Sequence, residues 1–220
     1  MMSDSSVTDP AVADAAIDWP AFERVALQPY PFDHVIVPDF VHANTAVAAG
    51  AAFPRPDLPG VLPAPMDPAD NAFGRILRAL RDPRTTDAFG RKFGVALDPD
   101  ALMITLRART RPSDGRIHTD SETKVVTALL YLNDGWSEPG GQLRLLRGPD
   151  DINDAIAEVA PLAGTLLAFR RTARSWHGHL PFEGVRRAIM FNWMVDAATA
   201  RREMRRHAVS ATMKTFFGTD

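Results

Sequence analysis

Hydrophobic residues follow two textures along this chain, and the change near residue 101 divides the expected architecture. Before it, apolar positions recur at helical spacing. Phe73, Ile76, Leu77 and Leu80 predict a helix over about 69–81 that starts from Asp67-Pro68-Ala-Asp70, with further helices over about 84–93 and 42–52. One early strand is expected within Phe32 to Phe40, where Val35-Ile-Val37 is stopped by Pro38. After residue 101, short β-rich runs separated by Gly, Pro and Asp predict strands at 101–109, 116–120, 124–132, 141–146, 164–169, 174–180 and 185–195. Short strands at this spacing predict a sandwich or jelly roll. From about 197 the pattern turns helical, with Arg201, Arg202, Arg205 and Arg206 on one face and Met204, Ala208 and Ala211 opposite; such a basic face is ordinarily solvated.

Two stretches fit neither texture. Residues 1 to about 18 are Ser, Asp and Ala with few large apolar groups, which predicts a poorly ordered tail before a single domain over 19–220. Residues 54–68 carry six prolines and are expected to be an irregular loop, either a connector or a lid beside a site.

Composition narrows the function classes. A chain of 220 residues can bury a core without covalent staples. The absence of cysteine excludes a disulfide framework, a thiolate zinc site and a cysteine nucleophile. A formal net charge of −2 gives no global drive toward nucleic acid or anionic membrane, so neither is expected as a partner. The chain has no apolar run of the roughly 18 residues that a membrane span requires. Its first basic residue, Arg24, follows four aspartates, unlike the start of a secretory signal, and a cytoplasmic location is expected. Oligomeric state cannot be read from these patterns.

The candidate chemistry centres on His118-Thr-Asp120, followed 57 residues later by His177 and then by adjacent arginines, Arg186 and Arg187. Residues two apart on a strand project from one face, so His118 and Asp120 can reach one ion. Two histidines and one carboxylate leave the opposite side of a metal open, the arrangement of non-haem Fe(II) oxygenases; the same donors also suit zinc. His179, two residues beyond His177, faces the same way. Either arginine, if turned inward, is costly unless an anion meets it. Thr127, Leu129 and Tyr131 share a face of the preceding strand, where the Tyr131 hydroxyl is either bonded to backbone in the core or aimed at a bound carboxylate.

These residues, in order, resemble the Fe(II)- and 2-oxoglutarate-dependent dioxygenases of the prolyl-4-hydroxylase type. The resemblance rests on His118-x-Asp120, Thr127, Tyr131-Leu-Asn133, Gly140-Gly141-Gln-Leu143, Gly164 to Phe169, His177 with Pro181, and Arg187 with Trp193 six later, and it covers about 101–195. It implies a double-stranded β-helix with helices flanking one side. It also implies Fe(II) held by His118, Asp120 and His177, with His179 outside the ligand set. Co-substrate contacts fall to Arg187, Tyr131 and Thr127, Arg187 being preferred to Arg186 by counting back from Trp193. The implied reaction is hydroxylation of an unactivated C–H bond with O2, releasing succinate and CO2, with ascorbate as a candidate reductant. The substrate, whether small molecule, amino acid or peptide, is not legible. A halogenase would need the Asp120 position vacated, and a zinc hydrolase leaves the buried arginine and Tyr131 unexplained. From another class, a catalytically silent jelly-roll binding module or 2-oxoglutarate sensor is the alternative. Arg107 and Arg109 stand where related chains carry a tyrosine, which leaves contacts on that strand open.

Overall fold

Asp18 accepts a hydrogen bond from the Ala21 amide at 2.8 Å, which caps the first helix, α1 (Trp19–Arg24). The computed structural model describes residues 16–54 and 60–217, with side chains as far as Val209. After α1 come β1 (His34–Val37), α2 (Ala43–Ala51), β2 (Val61–Pro63), α3 (Ala72–Arg81) and α4 (Pro83–Phe93). Asn71 caps α3 through the Gly74 amide, and α4 begins at Pro83 and ends at Gly94 in the left-handed conformation. The strands β3 (Leu102–Thr110), β4 (Lys124–Tyr131), β5 (Leu143–Leu146), β6 (Ala155–Val159), β7 (Leu166–Arg170), β8 (His177–Gly178) and β9 (Gly184–Met194) follow, and α5 (Ala197–Phe217) closes the order.

The strands form two antiparallel sheets. The larger has the order β1-β7-β4-β9-β3-β2, the smaller β6-β5-β8. Alternation along the large sheet sends Val126, Ala128, Leu130, Ile189, Phe191 and Trp193 into the main core shared with the helices. Its other face turns Leu129, Tyr131, Leu167, Phe169 and Ala188 toward the small sheet, where they meet Leu143, Leu145 and Val159. The architecture is a jelly roll with helices packed on one side of its large sheet.

Most expected elements are present with shifted ends, and several expectations are corrected. The strand expected at 116–120 reduces to a single bridge at His118, because Gly115 at φ 83° breaks the extended run just before it. The strand expected at 174–180 shrinks to His177–Gly178. Within the proline-rich segment, Val61–Pro63 is regular after all: it pairs with β3 as an edge strand, where a proline lacking N–H is tolerated. Residues 55–59 lie outside the described residues. Ala16 and Ile17, expected in the tail, are buried in the main core; residues 1–15 lie outside the described residues. The alternation test missed α1, β2 and β6 because each is too short or too weakly patterned to register.

Phe89 from α4 joins the helices to the sheet, with ring centroids 4.7 Å from Phe22 and 4.9 Å from Trp193. Phe89→Ala is expected to lower the unfolding free energy by about 3–5 kcal/mol in urea titration. A loss under about 1 kcal/mol would show that this contact does not join the two layers.

Candidate metal centre

His118 and His177 face each other across a backbone bridge in which each amide donates to the other's carbonyl at 3.0 Å. The bridge sets their rings 4.3 Å apart between centroids. Each ring nitrogen Nδ1 is tied to a backbone carbonyl two residues upstream, His118 to Arg116 at 2.7 Å and His177 to Ser175 at 2.8 Å. An Nδ1–H committed in this way leaves the Nε2 lone pair to bind a metal. Asp120 Oδ1 lies 3.9 Å from His118 Nε2, and the ligand atoms of His118, Asp120 and His177 all lie within 4.8 Å of one another. This donor set fits a facial triad for Fe(II). Burial pushes the His177 imidazole down to about 4, against the pull of Asp120, so it is neutral at pH 7, the form that ligates.

Asp120 is braced on both oxygens. Lys124 donates to Oδ1 at 3.0 Å and the Thr127 hydroxyl to Oδ2 at 2.6 Å. Burial by itself would raise the Asp120 carboxyl; Lys124, then His177 and the hydrogen bonds outweigh it and hold the group below its ordinary value. Thr127, expected at the co-substrate, therefore supports a metal ligand, although it also lines the cavity. Lys124 was not singled out in the sequence. Its place four residues after Asp120, at the start of a strand, was the available signal.

A cavity of about 470 Å³ runs from the triad between the sheets. Arg186 points into it, 3 % exposed, while Arg187 does not line it. This corrects the assignment made by counting from Trp193. Trp193 faces the helices, donating to Thr86 Oγ1 at 3.0 Å, so its parity marks the wrong side. Near the arginines β9 also carries an extra residue: Arg107 pairs with Ala188 and Arg109 with Val185, leaving Arg186 and Arg187 opposite Ala108 alone. Alternation along β9 runs unbroken across it, since Arg186 shares the cavity face with Met190, Asn192 and Met194.

Arg186 donates through Nε to the Gly141 carbonyl at 2.6 Å and through Nη2 to the Tyr131 hydroxyl at 3.3 Å. Its carbon Cζ lies 5.1 Å from the Tyr131 ring centroid. These partners are neutral, and among the described residues no carboxylate is paired with Arg186. Arg107, also in the cavity wall, is by contrast neutralised by Asp114 at 3.1 Å. Burial raises the Tyr131 hydroxyl, which stays protonated. Since Tyr131 accepts from Arg186, its own proton is left for another acceptor. Asn133, from the same motif, is a structural knot: its amide bonds Pro161 O, Arg187 O and the Arg187 amide.

His179 lies in the cavity wall outside the triad, its Nδ1 on the Leu180 carbonyl at 2.8 Å. Burial, then Arg186, push it down to about 4. Its ring packs so closely on Gly115 that a Cβ there would come within 2.3 Å. From α5, Glu203, Arg206 and His207 reach the cavity, while Arg201, Arg202, Arg205 and Arg206 of the basic face are exposed, as expected. Val61 reaches it from β2.

Residues 107–195 match the model of the 2OG-Fe(II) oxygenase superfamily, the stretch that holds the triad, Tyr131 and both arginines. Over that stretch, somewhat less than half of the chain, the protein is similar to the 2-oxoglutarate-dependent oxygenases, and its His-Asp-His cluster fits their iron. Its fold is similar to that of prolyl-4-hydroxylases. The crystal structure of a Pseudomonas putida prolyl-4-hydroxylase superposes with a TM-score of 0.55 at 23% identity, over 73% of this chain and 91% of that one. A prolyl 4-hydroxylase structure from Phytophthora capsici gives 0.56 at 18% identity, over 87% of this chain and 67% of that one. No curated protein matches the chain. Among the described residues, no helix is long and apolar enough to cross a membrane.

His118→Ala, Asp120→Ala and His177→Ala are each expected to abolish Mn(II) binding followed by electron paramagnetic resonance, whereas His179→Ala retains it. Thr127→Val, which keeps the shape and loses the hydrogen bond to Asp120, should weaken Mn(II) about 10–100-fold. An unchanged affinity would mean that Lys124 alone orients the carboxylate.

Proposed function

We propose that this protein is an Fe(II)- and 2-oxoglutarate-dependent hydroxylase of an unactivated C–H bond in a small-molecule, amino-acid or peptidyl substrate. Succinate and CO2 are the accompanying products, and ascorbate is a supporting reductant. The observation that carries the reading is Arg186: a buried guanidinium, without an acidic partner among the described residues, in the cavity that begins at a His-Asp-His cluster. A buried cation without a counter-charge is costly, and a dicarboxylate bridging from the metal to Arg186 removes the cost.

His118, Asp120 and His177 would hold the iron, which with 2-oxoglutarate and O2 supplies the oxidising power for C–H hydroxylation. Arg186 receives the distal carboxylate in a charge-assisted pair, and the Tyr131 proton donates to the same group. The Gly141 carbonyl fixes the guanidinium before the co-substrate arrives, so little ordering is required on binding. Thr127 and Lys124 keep Asp120 from turning away from the metal. The apolar layer of Leu129, Leu143 and Phe169 limits water around the co-substrate.

The zinc-hydrolase reading gives Arg186 and Tyr131 no task. A silent 2-oxoglutarate sensor would use both, and it differs only in turnover. Anaerobic addition of Fe(II) and 2-oxoglutarate should produce a weak visible charge-transfer band, and air with a competent substrate should then release succinate. A band without succinate from any candidate substrate would favour the sensor; no band would reject both. Arg186→Ala should weaken 2-oxoglutarate by about 2–5 kcal/mol, and Tyr131→Phe by about 1.5–3 kcal/mol. Arg187→Ala should change its affinity little, and the opposite ranking of the two arginines would defeat the assignment.

A further inference from the structure

Every charged group in the cavity wall has a task in the site except Glu203 and Arg206. Lys124 holds Asp120, Asp114 holds Arg107, and Arg186 is assigned to the co-substrate. Glu203 and Arg206 come from one face of α5 and pair with each other at 2.8 Å. Of the arginines on the basic face of that helix, Arg206 alone lines the cavity. An ion pair of this kind adds little to stability, since Arg206 keeps 73 % of its side chain exposed. Glu203 is more enclosed, with 19 % of its side chain exposed. One contact leaves both groups with capacity, because a carboxylate accepts several donors and a guanidinium carries five N–H groups. Beside the pair the wall is Met103 and Met194, packed with Ala101, Ala200 and Met204. Met194 stands opposite Lys124, whose ammonium holds Asp120, so this end of the cavity adjoins the metal ligands, and Arg186 lies toward the other end of β9. A methionine wall accepts aliphatic groups of varied shape.

Resting on the oxygenase reading above, we propose that the substrate is a free aliphatic α-amino acid anchored by Glu203 and Arg206. Its ammonium pairs with Glu203, its carboxylate pairs with Arg206, and its side chain lies along Met103 and Met194 toward the His-Asp-His cluster. The two side chains present opposite charges next to each other, as an α-carbon carries its own two. A residue inside a peptide has neither charge, so covering the pair with it would desolvate both groups without compensation, which is how the site discriminates. The cavity of about 470 Å³ must also contain 2-oxoglutarate, which restricts the substrate to a compact one.

Calorimetric titration of L-leucine and its blocked forms into the protein loaded with Mn(II) and 2-oxoglutarate tests this. N-acetyl-L-leucine lacks the ammonium, and L-leucinamide lacks the carboxylate. The parent should bind L-leucine at least about tenfold more tightly than either. Glu203→Gln should erase the margin over N-acetyl-L-leucine and keep the margin over L-leucinamide; Arg206→Gln should do the reverse. Both variants leave the co-substrate end intact, so 2-oxoglutarate affinity should stay within about twofold of the parent and the melting temperature within about 2 °C. A structural role for the pair would instead shift melting and weaken all three ligands alike, and would overturn the proposal. Absence of L-leucine binding in a parent that binds 2-oxoglutarate would overturn it as well. So would tighter binding of the doubly blocked N-acetyl-L-leucinamide, which would point to a peptidyl substrate. Failure of the parent to bind 2-oxoglutarate would remove the oxygenase reading on which the proposal rests.

Discussion

The reciprocal pair of backbone hydrogen bonds between His118 and His177 is the constraint on which the rest of the site depends. It joins two segments far apart in the chain and decides, at one point, which faces of both turn inward. Gly115 and Gly178 allow the approach: a Cβ on Gly178 would come within 2.7 Å of the Gly115 carbonyl. His177 also belongs to β8, paired with Leu145, so the metal centre is an extension of the small sheet and inherits its rigidity. Phe169, from the large sheet, packs 4.7 Å from the His177 ring and ties the two layers together beneath the His-Asp-His cluster.

Charge is arranged around this constraint in two different states. At the metal end the buried carboxylate already has its cation, Lys124, and its hydroxyl, Thr127. At the other end the buried cation Arg186 has only neutral partners. The neighbouring Arg107 satisfies itself with Asp114 and so does not compete for an incoming anion. One end is thus prepared for a cation carrying ligands of its own, and the other for a carboxylate. In the proposed function that polarity would orient a dicarboxylate along the cavity.

The helices serve the site indirectly. Phe89, Phe22 and Phe40 fill the far side of the large sheet and hold β9 by its odd-numbered residues, Ile189, Phe191 and Trp193. Arg186, Met190, Asn192 and Met194, on the even-numbered face, are thereby free to line the cavity. α5 then returns across the mouth, packing Met204 against the cluster of Ala101, Met103, Met194 and Ala200. It places Glu203 and Arg206 in the cavity wall.

The sequence by itself determined the jelly roll and the meeting of His118, Asp120 and His177, because each rests on local information. Alternation places Thr127, Leu129 and Tyr131 on one face wherever the strand lies, and His-x-Asp needs only a short extended stretch. It did not determine which of Arg186 and Arg187 turns inward. Both faces of β9 are buried, so hydrophobicity has no preferred side, and Trp193, the marker for the count, turns to the helices rather than to the cavity. Nor did it show Lys124 on Asp120 or the service of Thr127 to the metal ligand. Those depend on which strands become neighbours, and pairing between distant segments is decided only when the sheet closes.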